Sequence, residues 1–269
     1  MRIEQLPATS WDGLGRECWR QVVSRMPSAG PFLSDAWVNA WMGVFSGPLK
    51  PVQLNILAAN GLPVGTCLLT TRVRRDTLVP HVRIHLNTDG ENAADSVIVE
   101  HNALPAIAGE DENVTRAIAR HVVAMRADEF RVSGAGEDSV QRIARAFPGW
   151  AADIEWRDAP YVDLDQLRAN QQSHLTVLSR NTREQVRRSL LRYERRGAIV
   201  VEVARTVVDA ESMFGELVTL HEARWHASGH DGGFASALRC DFHRAFIREG
   251  VITGNVQLLR VSVGGDTIA

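Results

Sequence analysis

The residues best suited to acid–base chemistry lie together late in the chain, in LHEARWHASGHDGGF (220–234). His221 and Glu222 could each take a proton from an attacking group, because imidazole and carboxylate groups are common general bases. At helical spacing, however, His221 falls within an apolar face that includes Phe214 and Trp225, where a histidine is more often a core residue. His221 and Glu222 are therefore candidate bases, with a core role for His221 as the alternative.

The histidines of this segment do not have the spacing of a zinc helix. Four residues separate His221 from His226 in HEARWH, whereas HExxH places three between its histidines. His230 and His243 lie nearby in the sequence but do not restore that pattern. We predict no metal site.

A group of acids offers other candidate bases. Asp89, Glu91, Asp95 and Glu100 occur in NTDGENAADSVIVE, after a predicted strand, where solvated acids are common. None of these acids is preferred over Glu222.

Nucleophilic catalysis has less support, because the sequence contains no GxSxG elbow.

A glycine pair could hold a phosphate group. Gly134 and Gly136 in SGAGED stand between a predicted strand and a predicted helix, where backbone N–H groups can bind an anion. The third glycine of GxGxxG is missing, and no GxxxxGK[ST] motif occurs. This pattern favours an ordinary tight turn.

Arginine is concentrated in LSRNTREQVRRSLLRYERRG (178–197), where seven arginines and two glutamates give a local charge of +5 in a chain of net charge −2. Capping-box spacing from Asn181 or Thr182, and Gly197 at the expected C-cap, predict a helix. An arginine-rich segment of this kind can bind an anion or face solvent.

The apolar residues of that helix predict which arginines could reach a ligand. Val186, Leu190 and Tyr193 form one stripe, and we expect this stripe to pack inward. Arg183 and Arg187 border the stripe, while Arg188, Arg192 and Arg195 point away from it. Arg183 and Arg187 are therefore predicted substrate-binding residues, with a solvated helix as the alternative.

Strand and helix signals alternate along the chain, which predicts a mixed α/β fold (α+β mixed sheet). Residues 1–50 look helical, with Trp37, Trp41 and Phe45 on one face after a Ser34 cap. The predicted strands are 52–59, 64–73, 81–86, 97–100, 129–134, 150–156, 161–164 and 198–204, followed by a strand and turn within 255–269. Besides the arginine-rich helix, the other predicted helices are 114–127, 138–147, 209–225 and 236–250. Asp209 is the predicted cap of the third of these and Ser236 the predicted cap of the fourth.

An internal echo predicts two copies of one unit. VQLNILAANGLPVG (52–65) aligns without a gap on VQLLRVSVGGDTIA (256–269), and Gly61 matches Gly265. Asn-Gly between two apolar runs is a hairpin signal, so both copies should contain a hairpin. The second copy would then be incomplete at the end of the sequence.

Composition limits the class of protein. The chain has 269 residues, of which 45% are hydrophobic and 23% charged. No apolar run approaches the length of about 18 residues that a membrane span needs, and the first residues lack the features of a secretory signal. Three scattered cysteines and the near-neutral charge lead us to expect a cytoplasmic protein that is not, as a whole, a nucleic-acid binder.

Four stretches in order give the chain a family resemblance: FLSDAWVNAW, LNTDGE…DSVIVEHN, the arginine-rich helix, and LHEARWHASGHDGGF leading to Phe242-His243. Together they resemble the CelD/BcsL-like acetyltransferases of the GNAT superfamily, whose double plan is related to the FemAB peptidyltransferases. The resemblance runs from about Phe32 to the C-terminus. It implies two tandem GNAT-like copies, here residues 1–160 and the start of a second copy at 161–269.

The resemblance also implies an activity: acetyl transfer from acetyl-CoA to an amine or hydroxyl (N- or O-acetyltransferase), without a metal or covalent intermediate. The acceptor would be a small molecule or a glycan precursor of cell-envelope or polysaccharide type. Arg183 and Arg187 would be anion contacts for the acceptor or the cofactor, and His221, Arg224 and Trp225 would shape the acceptor cleft.

The sequence departs from the GNAT pattern in one respect. The Q/RxxGxG/A loop that holds the cofactor's pyrophosphate does not occur in residues 161–269, where the second copy would carry it. We therefore expect a C-terminally truncated chain whose second copy lacks part of the active cleft. The alternative is a non-catalytic module that binds a polyanion such as RNA through the Arg180–Arg196 helix.

Overall fold

The structure is a computed structural model that describes residues 1–27, 29–74, 80–88 and 96–269. Its strands are β1 (Arg2–Pro7), β2 (Val52–Leu57), β3 (Pro63–Arg74), β4 (His81–Leu86), β5 (Glu129–Arg131), β6 (Ile199–Val203), β7 (Leu259–Val263) and β8 (Asp266–Thr267). Its helices are α1 (Arg16–Val23), α2 (Asp35–Leu49), α3 (Asp111–Ala124), α4 (Glu137–Ala146), α5 (Leu164–Ala169), α6 (His174–Val177), α7 (Arg180–Glu194), α8 (Val207–Ala227) and α9 (Ala237–Thr253).

The chain divides into two compact units. The first contains Met1–Trp150 and Arg205–Gln257, and the second contains Ala151–Ala204 and Leu258–Ala269. Both units are discontinuous in sequence, because the chain leaves the first unit after α4 and returns to it for α8 and α9.

A five-stranded sheet in the order β1-β2-β3-β4-β5 organises the first unit. Its first three pairings are antiparallel, while β4 and β5 are parallel and are joined by a crossover through α3. Parallel neighbours require such a crossover, usually a helix. The predicted mixed α/β fold is confirmed.

The two faces of this sheet differ in polarity. One face is apolar: Leu54, Ile84 and neighbouring side chains pack with Ile118 of α3. The other face carries buried polar groups, among them Gln53, which donates to the carbonyl of Gly15 at 2.9 Å. Alternation along each strand places these two sets on opposite sides.

Local signals near the N-terminus give a mixed outcome. Ser34 caps α2 by accepting the N–H of Trp37 at 3.3 Å, and the aromatic face of this helix is buried, as predicted. The helical prediction is wrong for Arg2–Pro7, which forms β1 and pairs antiparallel with β2. The exposed edge of β2 supplies the hydrogen-bond partners that decide this segment's structure, and a local pattern does not contain them.

Aromatic packing joins α9 to α2 within the first unit. Phe242 is completely buried, and its ring centroid lies 4.7 Å from that of Trp37. Phe246, one turn further along α9, approaches Trp37 at 5.1 Å. Edge-to-face pairs of this kind add stability beyond the area that they bury.

A polar network closes the same contact. Arg16 forms a two-point ion pair with Asp35 and a second pair with Glu249 of α9. Asn39 Nδ2 donates to Glu249 at 2.7 Å. Because the Glu249 carboxylate has partners on two other elements, it fixes the position of α9 along α2.

The second unit has little core. It contains α5, α6, α7 and the antiparallel sheet β6-β7-β8. Among the described residues of this unit, Val263 is the one buried hydrophobic residue. Helix α7 begins with Ser179, which accepts the N–H of Thr182 at 3.1 Å, so the predicted caps at Asn181 and Thr182 are wrong.

The apolar stripe of α7 is not packed inward as predicted. Leu190 is 46% exposed, Tyr193 is 36% exposed and Val186 is only half-buried. The spacing correctly placed these residues on one helix face. Spacing alone does not supply a partner element, and no residue of α7 is buried among the described residues.

Three predicted strands are absent from the described structure. Residues 150–156 and 161–164 form no ladder, and most of their side chains are exposed. Residues 97–100 lie in irregular backbone, where Val97 and Val99 bury their side chains without strand pairing. In each segment the apolar spacing was present but no neighbouring strand edge completed it.

The two segments of the internal echo both form antiparallel hairpins. β2 and β3 turn at Gly61, and β7 and β8 turn at Gly265, two positions that the alignment superimposes. Both glycines have positive φ, +81° and +96°, a conformation that residues with a Cβ rarely adopt.

His85 is a buried base on the polar face of the sheet. It is 2% exposed, and burial together with the charges of Arg83 and Arg131 lowers its pKa to about 4. The folded protein therefore holds this imidazole neutral, whereas the unfolded chain protonates it near pH 6.5.

Replacing Phe242 with alanine should destabilise the first unit by about 3–5 kcal/mol, because it removes a fully buried aromatic side chain and leaves a cavity. A urea titration followed by tryptophan fluorescence measures this loss. Ile252→Ala on the same helix is the matched control, since Ile252 is 78% exposed. Equal effects of both changes would contradict the docking of α9.

His85 should make the protein less stable in acid. A group whose folded pKa is depressed contributes stability above its unfolded pKa and loses it as pH falls, here between pH 6.5 and about 4. The expected loss is up to about 3 kcal/mol. It is measured as the difference in pH dependence of the free energy of unfolding between the native chain and His85→Gln. Parallel curves for the two proteins would refute this role.

Candidate functional site

Two helices of the first unit frame the candidate site. Helix α8 begins with a capping box in which Thr206 accepts the N–H of Asp209 and Asp209 accepts the N–H of Thr206. The cap is thus Thr206, and the predicted cap Asp209 is its reciprocal partner. Helix α9 begins at the predicted cap, Ser236.

The glycine-containing loop between α8 and α9 is held by the two candidate bases. The Glu222 carboxylate accepts the N–H of Gly232 at 3.2 Å and the N–H of Phe234 at 3.1 Å. His221 Nε2 accepts the N–H of Gly233 at 3.0 Å. Three successive amides therefore point at side chains of α8.

This arrangement is an anion-binding loop filled by the protein itself. Successive backbone N–H groups form a concave site that suits a negative charge, and the Glu222 carboxylate provides that charge. Gly232 is needed because a Cβ at this position would collide with the Glu222 carboxylate and the His221 ring. Side chains of α8 therefore occupy the place that a free anion would otherwise take.

These bonds bear directly on acid–base chemistry. Both Glu222 oxygens and His221 Nε2 accept backbone N–H groups, so the proton of a neutral His221 lies on Nδ1. Accepting a proton from a substrate at His221 Nε2 would require breaking a loop contact, whereas each Glu222 oxygen keeps a second lone pair. The geometry supports a positioning role for both residues.

Aromatic rings surround the loop. The Phe234 ring lies 4.9 Å from His221, 5.4 Å from Phe214 and 5.5 Å from His243. Burial and the nearby Arg239 charge lower the pKa of His243. Aromatic rings therefore line the loop, and the His243 imidazole among them has a lowered pKa.

The other predicted site residues are only partly assembled here. The Trp225 ring lies 6.0 Å from His221 and is 42% exposed, and Arg224 is an exposed residue of the same helix. Arg183 and Arg187 belong to the second unit.

The two predicted arginines of α7 have local partners. Arg183 Nη1 donates to the carbonyls of Thr176 and Leu178, at 3.2 and 2.6 Å. Arg187 lies 3.6 Å from the Glu184 carboxylate and is largely exposed. Arg183 thus holds the turn before α7, whereas Arg187 has a solvent-facing guanidinium group.

Three of the four alternative candidate bases are not described by the structure. Asp89, Glu91 and Asp95 lie outside the described residues. Glu100 is described and exposed, in irregular backbone.

Sequence reasoning missed the residue that joins the loop to the rest of the unit. Arg239 Nη1 donates to the carbonyl of Gly233 at 2.7 Å, and its Nε donates to the carbonyl of Ser96 at 3.1 Å. Cys240 Sγ lies 3.2 Å from the carbonyl of Phe234. The available signal was weak: Arg239 follows a capping serine by three residues, close to the glycines.

The described part of the chain contains neither a group of metal-ligating side chains nor a helix that could span a membrane. No three His, Cys, Asp or Glu side chains there are grouped closely enough to hold a metal ion. None of the described helices combines the length and apolar character of a membrane span.

Replacing Glu222 with alanine should free the loop amides. We expect Gly232 and Phe234 to exchange their amide hydrogens at least about tenfold faster, since loss of a hydrogen bond of about 1.4 kcal/mol corresponds to that factor. Hydrogen exchange measured by NMR tests this expectation. Glu211→Ala is the control, because Glu211 on the same helix pairs with Arg248. Unchanged exchange in Glu222→Ala would contradict the assignment.

Comparison with known proteins gives one family match. The family described as "Acetyltransferase (GNAT) domain" matches residues 180–269. No curated protein matches the chain. The matched segment covers the arginine-rich helix, α8, the glycine loop and α9.

Solved structures give weaker similarities. A tetramutant of the BH1408 protein from Bacillus halodurans is 10% identical, covering 60% of this chain and 100% of its own, with a TM-score of 0.34. An aminoglycoside acetyltransferase from an uncultured soil metagenomic sample, in complex with trehalose, is 10% identical, covering 60% and 96%, with a TM-score of 0.35. A probable acetyltransferase is 17% identical, covering 61% and 99%, with a TM-score of 0.31.

Because these TM-scores are low, the comparison with known proteins depends on the family match alone. Residues 180–269 match a GNAT-type acetyltransferase domain, and the match covers these 90 residues of the 269-residue chain.

Proposed function

We propose that this protein is an acetyltransferase that acts on an amine or hydroxyl of a small-molecule or glycan-precursor acceptor, in the manner of the CelD/BcsL-like enzymes. The observation that carries the proposal is the GNAT domain match over residues 180–269. The glycine loop and its aromatic surround lie within that segment. An apolar wall with a few polar groups suits a small acceptor.

The proposal includes two tandem copies, with residues 1–160 as the first and residues 161–269 as the start of the second. Two observations support it. The first unit contains an antiparallel sheet continued by a parallel β4–α3–β5 crossover. The hairpins at Gly61 and Gly265 repeat one backbone geometry at aligned positions.

GNAT acetyltransferases use acetyl-CoA, whose pyrophosphate needs free N–H groups at a helix start. Helix α3 is unsuitable, because Asp111 and Glu112 occupy its first turn. The start of α8 is closed by its own capping box, and the amides of the glycine loop are taken by His221 and Glu222. The segment RVSGAG (131–136) has the RxxGxG spacing of the cofactor loop and leads from β5 into α4, although Glu137 and Asp138 follow it. Among these places, this segment is the candidate for the pyrophosphate.

Within the proposed function, the site residues divide by role. His221 and Glu222 position the glycine loop, because each accepts backbone N–H groups. Trp225 and Arg224 offer an exposed ring and an exposed cation to an acceptor. Arg187 is a better candidate for an anion contact than Arg183, whose guanidinium group holds two carbonyls.

Calorimetry with acetyl-CoA, followed by a thiol-release assay with an amino sugar as acceptor, tests the proposal. We expect saturable binding and acceptor-dependent release. Arg187→Ala should raise the KM for the acceptor by about tenfold, as expected for loss of one charged contact. Arg188→Ala is the matched control, since Arg188 is an exposed neighbour that bonds the carbonyl of Glu184.

The alternative function is tested by the same protein samples. Failure to bind acetyl-CoA would contradict the acetyltransferase proposal. If RNA then bound with an affinity that fell steeply between two salt concentrations, the polyanion-binding alternative would replace it, since α7 is exposed along its length.

A further inference from the structure

His243 of α9 lies beside the glycine loop, within a group of aromatic rings. The centre of its imidazole ring is 5.5 Å from that of Phe234 in the loop and 6.0 Å from that of Phe214 on α8. The ring of Phe242, its neighbour on α9, is centred 5.3 Å away. His243 is only half-buried. Ring packing therefore holds the imidazole beside the loop, while part of the residue stays in contact with solvent.

The ring nitrogens of His243 are not engaged in the packing. In the part of the chain that the structure describes, the imidazole contacts the three rings, and no backbone or side-chain group forms a hydrogen bond with it. His221 differs, because its Nε2 accepts the N–H of Gly233. A neutral imidazole has one nitrogen with a proton and one with a lone pair. His243 therefore has a basic nitrogen that no loop contact occupies.

The surroundings of His243 favour its neutral form. Burial is the larger cause of its lowered pKa, and the charge of Arg239, one turn earlier on α9, is the smaller cause. Arg244, the next residue of α9, lies over the Phe214 ring, 5.8 Å from its centre, and adds a second cation to this region. Glu222 of α8 is bonded to loop amides. A general base must be unprotonated to act, and His243 meets this condition near neutral pH.

One segment of the first unit connects this region to the candidate pyrophosphate segment RVSGAG (131–136). Arg239 Nε donates to the carbonyl of Ser96 at 3.1 Å. Six residues further along, the backbone N–H of Asn102 donates to the carbonyl of Gly134 at 2.8 Å. Six residues of extended chain span at most about 22 Å. The rings around the glycine loop and the candidate pyrophosphate segment therefore belong to one connected part of the first unit.

We propose that His243 is the general base of acetyl transfer, accepting the proton of the acceptor's amine or hydroxyl as that group attacks the acetyl carbonyl. This inference rests on the proposed acetyltransferase function. As the new N–C or O–C bond forms, the carbonyl electron pair moves onto its oxygen and the proton passes to the imidazole. When that pair returns, the C–S bond breaks, and the imidazolium gives its proton to the departing thiolate. The imidazole ends neutral, so no further reactant is needed.

His243→Gln tests this role, because glutamine is similar in size but cannot take the proton. Thiol release from acetyl-CoA with an amino sugar is measured over a range of pH. We expect kcat to fall by about 100-fold, the lower end of a general base's contribution, with little change in the KM for the acceptor. In the native protein, kcat should decline as pH falls through the lowered pKa of His243, and the variant should lose this decline. Titration of the acceptor is common to both proteins and cancels in the comparison.

Two further variants separate a base from a merely structural residue. In His243→Ala, added imidazole should restore part of kcat in proportion to its concentration, because the free base can then accept the proton. His121→Gln is the matched control: His121 of α3 is also half-buried, and burial also lowers its pKa. It should keep the native kcat and pH profile. Thermal unfolding of each variant, and calorimetry with acetyl-CoA, check that it folds and binds the co-substrate.

The outcomes distinguish this inference from the proposed function. If the native protein is active and His243→Gln keeps its kcat and pH profile, the role of His243 is overturned while the acetyltransferase function stands. Equal losses of kcat in His243→Gln and His121→Gln would also overturn it, because they would reflect the loss of any half-buried histidine. A native protein that neither binds acetyl-CoA nor releases thiol would overturn the proposed function and this inference together.

Discussion

The contact between α2 and α9 sets the organisation of the first unit. Trp37 and Phe242 pack at the centre of this contact, and Glu249 is held by residues of two other elements. Residues separated by more than two hundred positions thereby share one core. Since α8 and the glycine loop pack on α9, and α9 packs on α2, the geometry of the candidate site depends on this packing.

Predictions from sequence succeeded where local chemistry decides the structure. Ser34 and Ser236 cap the helices they were expected to cap, and His81–Leu86 forms the expected strand. Failures occurred where a distant partner decides. Arg2–Pro7 becomes a strand only because β2 offers an edge. The stripe containing Leu190 stays exposed, since apolar spacing alone does not supply an element to pack against.

The candidate site was predicted in composition but not in arrangement. The sequence identified His221 and Glu222 as the polar residues of the segment, and both lie at the glycine loop. Their engagement with backbone amides could not be read from spacing, because it depends on how the loop folds back on α8.

Glu222 has a consequence for how the glycine loop responds to its surroundings. The carboxylate is separated from Gly232 by only ten positions along the chain, so its local concentration at the amides far exceeds that of a dissolved ion. A free anion would have to displace a competitor that loses no translational freedom when it binds. The shape of this loop should therefore be insensitive to the ions of the medium, and the protein alone determines it.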